Sequence, residues 1–187
     1  MADSIREAES PGLRLRGCMG SIGRFWSRIR DHFGDDPFRR TAQYGAIPFQ
    51  LVEGRTAFLL ITSRRTGRWI FPKGSLMEGK SAPETAAQEA LEEAGVEGVV
   101  FDDALGHYHT VKHRLIRQHI DVTVYPLLVT RQLDDWQEKG QRYRHWVMAK
   151  EAIRLVSDPG AVSAIKRLDA IAPNLHERTR QQVQGAV

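Results

Sequence analysis

Residues 81–95 constrain the fold of this chain more than any other stretch, because they read as one sharply bounded helix with two unlike faces. Ser81 is placed as N-cap, and Glu84, three residues on, completes a capping box. Pro83 fits the first turn, where its missing N–H costs nothing. Gly95 supplies the stop, since glycine enters the left-handed conformation that closes a helix without a Cβ penalty. Ala86, Ala87, Ala90, Leu91 and Ala94 make one side small and apolar, suited to close packing on a sheet. Glu89, Glu92 and Glu93 lie three and four apart and project from the other side.

Like charges on one helical face repel by roughly a few tenths of a kcal/mol per exposed pair. Glu92 and Glu93 also sit in the last turn, where the helix dipole disfavours negative charge. Two readings follow, a solvated acidic face or a cation site. Carboxylate ligands select hard ions, chiefly Mg²⁺ or Mn²⁺, which keep waters and also bind phosphate. The sequence shows no other evident neutralising partner for this face, and Glu93 is expected to face solvent.

Around the helix, β-branched and aromatic residues predict strands at 42–52, 56–63 and 68–71, separated by Glu53-Gly54 and Thr66-Gly67 turns. Further strands are expected at 99–101, 106–113, 118–129 and 142–148. Asp158 and Pro159 read as the cap and first turn of a last helix, with Val162, Ile165 and Leu168 inward and Pro173 closing it. The expected organisation is an extension at 1–40, a domain at 41–173 and a frayed polar tail at 174–187. The extension is arginine-rich without lysine, and Ile22, Phe25, Trp26, Ile29 and Phe33 fall at helical spacing. Such an amphipathic helix could dock on its own domain, form a subunit contact compatible with a homodimer, or lie on a membrane surface.

At 187 residues the chain suffices for one buried domain with flanks. Its longest strongly apolar run, 57–61, is far too short to cross a bilayer, and nothing near the start resembles a signal peptide. The single cysteine, Cys18, cannot form an internal disulfide, so a reducing, cytoplasmic setting is expected. The net charge of +4 suits an anionic partner, but a polyanionic small molecule needs only a local cluster of cations. No RNA-recognition motif or aromatic stacking platform is evident, and neither nucleic acid nor a membrane is the expected partner.

Residues 74–96 resemble the Nudix box, G-x5-E-x7-R-E-U-x-E-E-x-G-U, where U is a bulky aliphatic residue. Gly74, Glu89, Glu92, Glu93, Gly95 and Val96 match in register. Lys80 stands where the box has Glu, Gln88 where it has Arg, and Ala90 is smaller than the usual aliphatic residue. If positions 80 and 88 pair in the family, this chain has lost both partners together, which is less costly than stranding one buried charge. The resemblance implies an α+β fold, a Nudix-type α/β/α sandwich with a mixed β-sheet, carrying here an N-terminal helical extension. It also implies Glu89, Glu93 and the Gly74 carbonyl as metal ligands, with Glu92 sharing ligation or accepting a proton from water. Glu89 and Glu92 are thus the expected catalytic residues, with Mg²⁺ or Mn²⁺ as cofactor. The implied reaction is attack of metal-activated water on a diphosphate linkage. Glu138 is a candidate outlying ligand or base, or an exposed loop acid.

Arg64, Arg68, Lys73 and Lys112 are candidate phosphate-binding residues, since Arg suits bidentate contacts and Lys a point charge. Residues 62–74 resemble bacterial Nudix proteins grouped with diphosphoinositol polyphosphate phosphohydrolases, and the run from Asp135-Trp136 to Arg144-His145-Trp146 extends that likeness. A Pro-Lys-Gly run also occurs in diadenosine polyphosphate hydrolases. A polyphosphorylated small molecule of either type is the expected substrate. The alternative is a non-catalytic Nudix-fold module that binds a nucleotide or polyphosphate, favoured by Lys80 and Gln88 and opposed by the three intact glutamates.

Overall fold

The computed structural model of the chain describes residues 40–113 and 117–185, so the amphipathic segment at 22–33 lies outside the described residues. Among these, eight strands form one mixed sheet: β1 (Thr41–Val52), β2 (Arg55–Thr62), β3 (Trp69–Ile70), β4 (Lys73–Gly74), β5 (Val96–Val100), β6 (Gly106–His113), β7 (Arg117–Gln132) and β8 (Arg144–Met148). The central path runs β3-β2-β1-β7-β5, with β4 on β1, β6 on β7 and β8 on β2. β1 and β7 are parallel and the other pairings antiparallel.

Two prolines in these long strands sit where the neighbour changes. Pro48 falls between the β4 pairing at Tyr44 and Gly45 and the β2 pairing that starts at Phe49. Pro126 falls between the β6 pairing that ends at Val124 and the β5 pairing that starts at Leu127. A proline has no N–H to give a ladder, so a junction between partners is the place that tolerates it.

Alternation divides each long strand between two cores. Ile47, Phe49, Phe58, Leu60, Val122 and Val124 join Ala152, Ile165 and Leu168 in one. Ala46, Leu59, Ile61, Leu127 and Val129 meet Ala86, Ala90 and Ala94 in the other. Helix α1 (Ala82–Ala94) therefore covers one face, while α2 (Ala149–Leu155) and α3 (Pro159–Gly185) cover the opposite one. This is the sandwich the resemblance implied.

The third strand shrinks to two residues, and α2 was not expected. The Asp158 cap forms, its carboxylate accepting from the Gly160 and Ala161 N–H groups at 2.8 and 3.2 Å. The expected stop at Pro173 does not occur, and the expected frayed tail is helical to Gly185. Leu175 and Thr179 continue the buried stripe of Leu168 and Ala172, and packing of that stripe outweighs the one backbone bond an exposed proline removes. Among the described residues no helix is long and apolar enough to cross a membrane.

Candidate active site

Both ends of α1 are fixed by the chemistry its sequence announces. The Ser81 hydroxyl accepts from the Glu84 N–H at 3.4 Å, and the Glu84 carboxylate accepts from the Ser81 N–H at 2.7 Å. These bonds, the backbone one foremost, hold the Glu84 carboxyl below its usual range. Gly95 closes the helix at φ +63°, and a Cβ there would lie 2.8 Å from the Trp136 ring. The last turn of α1 contains no basic residue, and Arg144 on β8 supplies the cation instead. Its guanidinium donates to the Ala94 carbonyl at 3.1 Å and the Leu133 carbonyl at 2.8 Å, and lies 4.1 Å over the Trp136 ring. Positive charge on the terminal carbonyls offsets the dipole that the glutamates oppose.

The Glu89 side chain reaches across to β4. A Cβ on Gly74 would fall 1.7 Å from Glu89 Oε1, so glycine makes the room this carboxylate occupies. Burial, and then repulsion from Glu93, Glu92 and Glu138, push the Glu89 carboxyl up to about 7, with Lys73 opposing. Glu92 accepts from Gln88 Nε2 at 2.8 Å. Lys80 is exposed, and no hydrogen bond joins it to Gln88.

Glu93 departs from expectation. It is buried, 8% exposed, instead of facing solvent. One oxygen accepts from the Lys73 backbone N–H at 3.1 Å and the other from Arg142 Nη2. Burial pushes its carboxyl up against the pull of Arg142 and Lys73. Arg142, also buried, donates from Nε to Glu138 and from Nη1 to the Thr62 carbonyl at 3.0 Å. The acidic face thus has a neutralising partner that the sequence reading missed. Glu138 is not an exposed acid either, since it pairs with Arg142 and, at 2.9 Å, with Arg64.

Of the expected site residues, Glu93, Lys73, Arg64 and Glu138 are linked by these bonds, with Gly74 and Glu89 packed alongside and Glu92 coupled to Glu89 by charge. Arg68 lies exposed in the β2–β3 loop, its Nε 3.3 Å from Thr66 Oγ1. The Lys112 side chain is not among those described. Trp69 is half-buried, with its ring 5.7 Å from that of His145. Arg142, Arg144 and Trp136 all belong to the 135–146 run noted above, which was the available signal.

The model of the NUDIX domain matches residues 42–168. The chain belongs to the Nudix hydrolase family. It is 35% identical over 117 residues to chloroplastic Nudix hydrolase 21 of Arabidopsis thaliana, covering 59% of this chain and 57% of that one. The chain thus spans just over half the length of that relative. Mitochondrial Nudix hydrolase 13 of the same plant is 31% identical over 147 residues, covering 67% and 71%. Diphosphoinositol polyphosphate phosphohydrolase 3-beta of Bos taurus is 33% identical over 100 residues, covering 52% and 58%. The fold matches that of a NUDIX hydrolase from Nitrosomonas europaea with a TM-score of 0.56 at 17% identity, covering 71% of this chain and 90% of that one.

Nudix hydrolases generally need divalent cations. The donor chemistry of this Nudix site fits one: burial, and then repulsion among crowded carboxylates, raises Glu89, and every candidate ligand is an oxygen. In the present arrangement, among the described residues, no three acidic, histidine or cysteine side chains are grouped to hold a metal.

Proposed function

We propose that this chain hydrolyses a phosphoanhydride linkage in a polyphosphorylated small molecule, with Mg²⁺ or Mn²⁺ as cofactor. The observation that carries the reading is Glu89 laid into the space Gly74 leaves, crowded by Glu92, Glu93 and Glu138. The Gly74 carbonyl, Glu89, Glu92 and Glu93 would hold the cation. When bound, it would neutralise phosphoryl charge and make water more acidic. Glu89 and Glu92 are the proposed proton acceptors, since both stand on the face of α1 that would hold the cation. Arg64, Arg68, Lys73 and Lys112 would bind the phosphates.

A diphosphoinositol polyphosphate or a diadenosine polyphosphate is the proposed substrate. The bovine relative's name, the basic 62–74 segment and the Pro-Lys-Gly run support this choice. The single cysteine fits a reducing, cytoplasmic setting. The test is purified protein with Mg²⁺ or Mn²⁺, offered both substrates beside ADP-ribose and nucleoside triphosphates. Cation-dependent release of phosphate or nucleotide from one of the first two is expected. Full activity after exhaustive chelation would sink the metal assignment, and turnover of ADP-ribose alone would sink the substrate.

Two observations favour a second reading, a non-hydrolytic binding module. Glu93 is already engaged by Arg142, and Lys80 and Gln88 depart from the box. Tight ligand binding with no turnover across the panel would establish it.

A further inference from the structure

Arg142 occupies the kind of place a metal ion would. Oxygen acceptors from three parts of the fold surround its guanidinium: Glu93 on α1, Glu138 in the β7–β8 loop, and the Thr62 carbonyl at the end of β2. Two carboxylates and a carbonyl are the donors a hard divalent cation selects. The enclosure is built into the fold, since the Arg142, Glu93 and Glu138 side chains are only 5%, 10% and 14% exposed. The backbone on either side is pinned. Tyr143 N–H donates to Thr62 Oγ1 at 2.9 Å, the Thr62 N–H to the Tyr143 carbonyl at 2.9 Å, and the Glu138 N–H to the Glu92 carbonyl at 3.1 Å.

We propose that Arg142 is a resident counter-cation that competes with the divalent metal for Glu93 and retreats toward Glu138 when the metal binds. The proposal rests on the cation-dependent hydrolysis proposed above. Its physical basis is that a buried carboxylate requires a partner at all times. Without metal, the guanidinium neutralises Glu93 and lets α1 and the β7–β8 loop close together. A divalent ion arriving at Glu93 meets a positive charge already on the same carboxylate. One of the two cations must give way, and Arg142 has Glu138 and the Thr62 carbonyl to keep it paired after release. Metal affinity is therefore lower than the glutamates alone would set it, and the metal-free chain stays folded.

Arg142→Met and Arg142→Gln in the full chain test this; the first removes the charge and every donor, the second removes the charge and keeps one amide donor group. Each protein is stripped with chelator, exchanged into chelator-free buffer and titrated with Mn²⁺, with free Mn²⁺ read by electron paramagnetic resonance and melting temperature followed in parallel. Both variants should melt below wild type without metal, bind Mn²⁺ at least about tenfold more tightly, roughly 1.4 kcal/mol, and gain more melting temperature from it than wild type does. Adding Glu93→Gln to Arg142→Met should remove the gain in affinity. Equal or weaker Mn²⁺ binding by the Arg142 variants overturns the proposal while leaving the cation-dependent reading standing. Absence of Mn²⁺ binding by every protein overturns both. If neither variant folds without metal, Mn²⁺ should restore its near-ultraviolet circular dichroism, and failure to do so overturns the proposal.

Discussion

Glu89→Gln should stabilise the metal-free protein at alkaline pH while abolishing its hydrolysis. Glu89 is raised from 4.5 to about 7, chiefly by burial and by Glu93. For a carboxylic acid held above its unfolded value, the sign runs against the ionised form. Below about pH 4.5 folded and unfolded chains both keep the proton, and nothing is lost. Between 4.5 and 7 the unfolded chain releases a proton that the folded chain retains, so stability falls as pH rises. Above 7 the whole cost is present. At ~1.4 kcal/mol per pKa unit, that cost is on the order of 3 kcal/mol. Glu89 is only half-buried, and water on its open side screens the repulsion, so the gain from the neutral amide is expected at about 1–2 kcal/mol.

Urea unfolding of wild type and variant, in chelator, from pH 4 to pH 9 reads this directly. The variant should match wild type near pH 4 and exceed it above pH 7. Saturating Mn²⁺ at pH 8 should erase the difference, because a cation relieves the wild-type carboxylates and finds one ligand fewer in the variant. A variant no more stable than wild type at pH 8, or equally more stable at every pH, would refute the crowding argument.

Two further outcomes follow from close contacts and from packing. Gly74→Ala would place a methyl group 1.7 Å from Glu89 Oε1; the displaced carboxylate should cost about a hundredfold in turnover, measured as kcat on whichever substrate is hydrolysed. Pro173→Ala fills an exposed helical position with a residue that restores a backbone donor, and should raise stability by about 1–2 kcal/mol in thermal or urea unfolding; a loss would mean that the proline shapes the helix its neighbours need.

The features legible in the sequence are those whose chemistry is local. The Ser81–Glu84 box, the Gly95 stop and the Asp158 cap each involve partners within five residues, and all three form. The strands were legible for the same reason, since β-branched and aromatic residues between turns mark them locally, but the all-apolar run 58–61 does not say which side chains belong to which core, and only the fold divides them. Pro173 shows the limit, because its local signal is to stop a helix while the buried stripe through Leu175 and Thr179 is a tertiary effect. In the candidate site, the acids on α1 could be read from spacing, but their surroundings could not. Arg142 lies 49 residues from Glu93, and only the folding of the β7–β8 loop over α1 brings them together. Glu93 looked solvent-facing because helical periodicity places it on the polar side of α1, and periodicity cannot see what covers that side.

The departures at positions 80 and 88 take their meaning from that covering loop. Gln88 gives Glu92 a neutral hydrogen bond, and Lys80 stays exposed, its nearest electrostatic effect being on Glu84. Neither places positive charge among Glu89, Glu92 and Glu93. Compensation comes instead from outside the helix: Arg142 bonds Glu93 directly, Lys73 acts on Glu89 and Glu93, and Arg144 meets the carbonyl of Ala94. Arg142 and Arg144 belong to the segment that closes over the end of α1, with the Leu133 N–H on the Gly95 carbonyl and the Glu138 N–H on that of Glu92. Closing this loop therefore brings Arg142 onto Glu93 and Arg144 onto the helix end in one event, while Lys73 acts from β4. A helix that carried its own arginine could balance part of its charge before the loop closed. Here the acidic helix end depends on the loop for its balance, so a change that loosens residues 133–143 should disturb the carboxylates of α1 even where it touches none of them.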